Sequence, residues 1–285
     1  MPTLSIILIV RNEAQCLATC LDSVRAIADE IVVVDTGSTD TTLQVAEDFG
    51  ARVGHFAWCD DFAAARNASI AMAGGDWLLH LDADEALDPE NAAQIRALVD
   101  ADGQGADAIE LCLANYCEDP RAWRWVPAAP TDPWARGHSG YIKTTLLRLF
   151  RAGRGFEYRE AVHENITQSV IERGGVIVAS SILIHHYGYD PGPERRAQKA
   201  RLYYGIARKK AEAQPDDLKY LLDLAEQAFA CGEPAEAEAA CRRALAISPS
   251  DLGCGTMLAN LLLNRVVLDE ARAVLEVLRA ADYDA

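Results

Sequence analysis

The sequence predicts an α/β domain built on a mainly parallel sheet, followed by an all-α domain of helical repeats. Three observations predict it. Apolar runs rich in β-branched residues, at 4–10 and 31–34, alternate with segments of helical periodicity, as strands buried on both faces of a parallel sheet do. A further apolar run at 77–81 ends in the carboxylate cluster Asp82-Ala83-Asp84-Glu85. After Pro193 the strand pattern stops, and the chain matches itself at an offset of 34 residues.

The first run breaks at Arg11-Asn12-Glu13, and residues 14–26 read as a helix burying Leu17, Leu21 and Val24. The second ends at Asp35-Thr36-Gly37-Ser38-Thr39-Asp40, and a helix is expected over 43–49. Arg11, Glu13 and Asp35 therefore fall at the carboxyl ends of parallel strands, where ligands gather in such sheets. Asp35 fits equally well as a turn or cap residue, with Ser38, Thr39 and Asp40 as competing caps. Arg52 and Val53 begin a short strand, and an alanine-rich helix starting near Cys59 carries Arg66. Arg66 is either a surface helix residue or a guanidinium turned toward the carboxylate-bearing strand end to meet a phosphate.

Residues 91–99 read as a helix, 102–105 as a loop and 109–113 as an alternating strand. The stretch 116–141 carries Pro120, Pro127, Pro130 and Pro133 with Trp123, Trp125 and Trp134. It is too irregular for a core element and either offers aromatic platforms to a ligand or folds its aromatics under itself. A strand returns at 144–151. Two short strands are expected at 176–178 and 182–184, the second running into His185-His186-Tyr187-Gly188-Tyr189.

Side chains two apart on a strand share a face, so Asp82 and Asp84 project together if the extended conformation continues past the apolar run. That geometry suits Mg²⁺ or Mn²⁺, which take oxygen ligands and complete their shells with water and phosphate. The same residues also fit a solvated turn opening the next helix.

The formal charge of −16 over 285 residues argues against a nucleic-acid partner and against attraction to acidic lipid. No run of about eighteen apolar residues and no secretory leader is visible, so no transmembrane segment is expected and the compartment reads as cytoplasmic. Eight cysteines without Cys-x-x-Cys spacing read as ordinary reduced thiols.

Taken together, residues 4–13, 32–42, 61–67 and 76–85 resemble the successive motifs of family 2 glycosyltransferases with the GT-A fold. The likeness is to the bacterial branch with Asn-Glu after the first strand, Val-Asp-Thr-Gly-Ser-Thr-Asp after the second, Asp-Phe-x-x-x-Arg-Asn and Asp-Ala-Asp-Glu. The resemblance covers residues 1–190 and implies a GT-A, Rossmann-like catalytic domain at 1–192 ahead of the helical domain at 193–285.

It further implies that Arg11, Glu13 and Asp35 hold the nucleobase and ribose of a nucleotide sugar and that Arg66 approaches its diphosphate. Asp82 and Asp84 are implied to bind the metal and the nucleotide sugar, with Asp84 the direct ligand. The base of such enzymes lies well downstream, which favours Glu164 over Glu118, Asp119 and Asp132. His186, with Tyr-Gly-Tyr behind it, resembles a late motif of this branch and is a third metal-ligand candidate, although a structural histidine at a strand end fits as well. The implied reaction is inverting transfer from a nucleotide-diphosphate sugar, with a UDP-hexose as the expected donor, aided by Mn²⁺ or Mg²⁺. The acceptor is a hydroxyl or thiol on a glycan, lipid-linked sugar, peptide or small molecule. A catalytically silent domain acting with the repeats as a protein-binding scaffold is the alternative; the intact set Asp82, Asp84, Arg66 and Glu164 argues against it.

In the helical part, Pro215, Asp217, Leu224-Ala225 and Glu236-Ala237 recur as Pro249, Asp251, Leu258-Ala259 and Glu270-Ala271, the tetratricopeptide period. Residues 194–213 are expected to pack these repeats to the first domain. Two repeats are too few to cover their own apolar faces. Leu258, Leu261, Leu262, Val274 and Leu278 are accordingly expected to form one open apolar surface, available to a homodimer or another partner.

Overall fold

The computed structural model describes residues 1–188 and 192–283, in two compact units, Met1–Pro191 and Gly192–Ala285. The first unit runs β1 (Leu4–Val10), α1 (Leu17–Val24), β2 (Glu30–Asp35), α2 (Thr42–Asp48), β3 (Arg52–His55), α3 (Phe62–Met72) and β4 (Trp77–His80). It continues with β5 (Glu85–Ala86), α4 (Pro89–Asp100), β6 (Ala108–Tyr116), β7 (Trp125–Pro127), β8 (Gly140–Arg151), α5 (Thr167–Glu172) and β9 (Ile177–His186).

The strands form one sheet in the order β3-β2-β1-β4-β8-β6-β9-β5, with β7 added beside β8. β1 to β4 pair in parallel, which sends Val10, Asp35 and His80 to the same edge. β8 enters antiparallel between β4 and β6. That insertion places Arg148 beside the end of β4. Helices start where the sequence supplies caps: Asp61 accepts the Ala64 N–H at 2.9 Å, and Asp88 accepts those of Glu90 and Asn91, with Pro89 at the first turn.

Two expectations need correction, one helix was not expected, and one open alternative is decided. The first helix begins at Leu17, because the chain stays in turns after the positive φ of 57° at Asn12. The two short strands near 176–184 are one strand, β9, whose register against β6 shifts between Glu110 and Cys112; this irregularity interrupts the apolar alternation without ending the strand. The helix α5 has no counterpart in the expectations. Most aromatics of the 116–141 stretch pack on their own neighbourhood, with Tyr116 stacked at 5.4 Å on Tyr187 and Trp134 at 5.2 Å on His185, whereas Trp123 is 78 % exposed.

The second unit contains α6 (Pro193–Ala213), α7 (Leu218–Cys231), α8 (Pro234–Ile247), α9 (Leu252–Asn264) and α10 (Leu268–Tyr283). The starts of α7 and α9, like those of α8 and α10, are separated by the period seen in the sequence. Asp217 and Asp251 cap α7 and α9 by accepting backbone N–H groups. Leu258, Leu261, Leu262 and Leu278 are buried, and Val274 is partly buried against the same core, which also holds Leu221 and Leu224. The open surface expected from these five side chains is therefore internal packing. The apolar residues left exposed on these helices are others, among them Leu252, Leu263 and Leu275.

Candidate active site

The apolar run of β4 delivers His80 and Asp82 to the carboxyl edge of the sheet, but the extended backbone stops at His80. Residues 82–85 form a turn closed by the Glu85 N–H donating to the Asp82 carbonyl at 3.0 Å. The assumption that Asp82 and Asp84 continue a strand is thus corrected. Their carboxylates meet different partners.

Asp82 accepts from Arg66 Nη2 at 3.0 Å on one oxygen and from Arg148 Nη2 at 3.2 Å on the other. Burial alone would raise this carboxyl, but the two guanidiniums hold it well below the usual carboxylate range. Arg66 is buried, and its Nε donates to Glu164 Oε1 at 2.6 Å. The guanidinium assigned to the diphosphate is therefore already shared between Asp82 and Glu164, with His80 against its Nη1.

Glu164 reaches Arg66 from a tight loop. His163 before it has a φ of 56°, and the isolated bridge between Arg159 and Asn165 closes the loop. Tyr158 steadies the same region: its carbonyl and N–H bond Asn67 of α3, and its hydroxyl lies 2.7 Å from His80 Nδ1. Burial and then the charges of Arg66 and Arg148 push His80 well below 6.5, so it sits neutral between the two guanidiniums.

Asp84 faces His186 from the next turn position, with Oδ1 at 3.7 Å from Nε2. Asn115 donates its amide protons to Ile142 O and Thr144 Oγ1, which leaves its carbonyl oxygen to accept from His186 Nδ1 at 2.7 Å. With Nδ1 against Asn115, Nε2 is the ring nitrogen turned to the Asp84 side. Burial lowers His186, yet Asp84, Glu85 and Asp82 raise it above its ordinary value. A cation fits such a field. Gly188 leaves the space for this arrangement, since a Cβ there would stand 1.6 Å from Asp84 Oδ2. Among the described residues no group of three or more His, Cys, Asp or Glu is placed to hold a metal; Asp84 and His186 are two groups that could ligate Mn²⁺ or Mg²⁺, with the remaining ligands from water and phosphate. Tyr189, the last residue of the Tyr-Gly-Tyr sequence, lies outside the described residues.

Arg11, Glu13 and Asp35 gather at the ends of β1 and β2. Asp35 accepts the N–H groups of Gly37 and Ser38 at 3.1 and 3.0 Å, and so shapes its own turn. Asn12 ties the two strand ends together through Ser38 Oγ and the Thr39 N–H. The Glu13 N–H donates to Thr42 Oγ1 at 2.8 Å, while Arg11 is exposed.

His80, Glu85, Arg148 and Tyr158 were not singled out from the sequence. The signal was present for two of them. His80 and Arg148 each interrupt an apolar strand run, and a charged or polar side chain there must find a buried partner. Glu85 was hidden inside an acidic cluster that looked solvated, yet it is 1 % exposed, and burial pushes its carboxyl up to about 7 against Arg148.

The profile of Glycosyl transferase family 2 matches residues 5–167. A TPR repeat-containing protein of Synechococcus elongatus is 34 % identical over 82 % of this chain and 51 % of its own length. The SPbeta prophage-derived glycosyltransferase SunS of Bacillus subtilis is 26 % identical over 77 % of this chain and 48 % of its own. The chain thus spans about half the length of these curated relatives. Among solved structures, S. aureus TarS 1-349, also determined in complex with UDP, superposes with a TM-score of 0.50 at 17 % identity, covering 97 % of this chain and 89 % of that one. Among the described residues, no helix is long and apolar enough to cross a membrane. With the motif order on the sheet edge and a profile match over more than half its residues, the chain belongs to glycosyltransferase family 2.

Proposed function

We propose that this chain is an inverting glycosyltransferase that takes a hexose from a nucleotide-diphosphate sugar, a UDP-sugar first, and passes it to a hydroxyl or thiol acceptor. The observation that carries the reading is the single guanidinium of Arg66, which joins the end of β4 at Asp82 to Glu164. A candidate base is thereby held beside the turn that carries Asp84.

Asp84 and His186 would hold Mn²⁺ or Mg²⁺, which supplies positive charge to the departing diphosphate. Arg11, Glu13 and Asp35 line the end of β1 and β2 where the nucleoside is received. Asp35 is pre-set by its own turn, so its carboxylate does not reorganise on binding. Arg66 adds cationic charge on the diphosphate side. Glu164, with Oε1 taken by Arg66, accepts the acceptor's proton on Oε2 as the nucleophile attacks the anomeric carbon from the face opposite the diphosphate. UDP leads the donor list because it is the nucleotide bound in the TarS complex.

The test is release of nucleoside diphosphate from a panel of UDP-, GDP- and dTDP-sugars with Mn²⁺, comparing the wild-type chain with Asp84→Asn. The reading expects turnover of one donor class and its loss in the variant. No turnover of any donor, or turnover unaffected by the substitution, contradicts it.

A further inference from the structure

Arg148 and Glu85 lie at the centre of the polar network behind the Asp84–His186 gap. Arg148 is 4 % exposed on β8, and its Nη2 donates to Glu85 Oε1 at 2.6 Å and to Asp82 Oδ2 at 3.2 Å. Glu85 uses its other oxygen to accept the Asp82 N–H at 2.9 Å. Asp82, Arg148 and Glu85 therefore close a ring, and the turn between Asp82 and Glu85 is fixed at both ends.

Both candidate metal ligands are attached to that ring. Asp84 precedes Glu85 in the chain, and His186 is the register partner of Glu85 across β5 and β9. The Asp84 carbonyl also accepts the Tyr187 N–H at 3.0 Å, which ties the turn to the end of β9.

Stability alone does not account for Arg148. Its Nε is buried with no hydrogen-bond partner among the described residues, which costs stability for a buried donor, and buried ion pairs are often matched by apolar residues of similar volume.

We propose that Arg148, acting through Glu85, is a positioning residue that sets the Asp84–His186 gap for the divalent cation. The proposal rests on the reading of Asp84 and His186 as metal ligands. Its chemistry separates it from a charge effect: Arg148 is cationic, so its removal on electrostatic grounds alone would strengthen cation binding. Positioning requires the opposite.

The experiment is Mn²⁺ titration of the full chain, reading the free-ion electron paramagnetic resonance signal, on wild type, Asp84→Asn, Arg148→Lys and Arg148→Met. Lysine keeps the charge but has no second nitrogen to face His80 while the first serves Asp82 and Glu85, as the planar guanidinium does. A tenfold or larger weakening in Arg148→Lys, the usual scale for an outer-layer partner of about 10–100-fold, is expected, with weakening rather than strengthening in Arg148→Met. Should Arg148→Met fail to fold, Arg148→Lys decides. A folded Arg148→Lys with wild-type Mn²⁺ affinity overturns the positioning role while leaving the metal reading intact. A wild-type chain that binds no Mn²⁺ overturns both, and Asp84→Asn identifies the site in every other case.

Discussion

Arg66 Nε lies 2.6 Å from Glu164 Oε1, a contact that spans 98 residues of sequence and joins α3 to the loop before α5. It ties the candidate base to a helix that is itself capped by Asp61 and bonded to Tyr158 through Asn67. The base is therefore set by packed structure and not by the loop alone.

Glu164→Gln keeps an acceptor oxygen for Arg66 but cannot take a proton. Transfer is expected to fall by about a hundredfold or more, the scale of general-base catalysis, with nucleotide affinity kept. Steady-state kcat and calorimetric UDP affinity on the same sample check this. A near-normal kcat would move the role to another carboxylate.

Gly188→Ala tests the metal pocket by shape. The new methyl would overlap Asp84 Oδ2, so the carboxylate must turn aside and Mn²⁺ affinity is expected to drop about tenfold or more, while the melting temperature moves by no more than about 4 °C. Unchanged affinity would mean that Asp84 does not face the cation as placed here.

Glu30 contributes to the pH dependence of the fold. Burial would raise its carboxyl, but the Gly74 N–H at 2.7 Å, the Ser5 hydroxyl at 2.6 Å and Arg52 at 3.5 Å hold it below its ordinary 4.5. A depressed folded-state value contributes stability that is present above the unfolded value and lost as pH falls through the folded one. Wild type should therefore lose more melting temperature than Glu30→Gln between pH 6 and pH 3.5. Parallel curves for the two proteins would remove Glu30 from the acid transition.

In the repeats, Leu262 is 1 % exposed and its neighbour Leu263 is 45 % exposed. Leu262→Glu buries an unpaired carboxylate and is expected to cost more than about 4 kcal/mol, whereas Leu263→Glu should stay within about 0.5 kcal/mol. Circular dichroism during urea unfolding distinguishes them. Equal effects would mean that the α9 face is turned differently.

The strands and most helices were legible because each rests on a local signal: β-branched runs for β1 and β2, caps for α3 and α4, and a fixed period for α7 to α10. The partners of the carboxylates were not. Asp82 meets Arg148 only because β8 is inserted antiparallel beside β4, a pairing across 66 residues that no local pattern records. The apolar stripe on α9 was legible as a stripe, but periodicity does not say whether a neighbouring helix covers it, and here α7, α8 and α10 do. The partner of Glu85 was hidden for a related reason. Composition marks Glu85 as solvated, and only the sheet register shows it beneath Arg148.

The central claim is a nucleotide-diphosphate site whose affinity depends on a divalent cation held at Asp84 and His186. Calorimetric titration of the full chain with UDP, in Mn²⁺ and in chelator, on wild type and Asp84→Asn, tests it most directly. The account predicts that wild type binds UDP in Mn²⁺ and loses about tenfold or more of that affinity in chelator, and that Asp84→Asn shows the chelator value under both conditions. UDP affinity that is the same with and without Mn²⁺, or unchanged by Asp84→Asn, would contradict it.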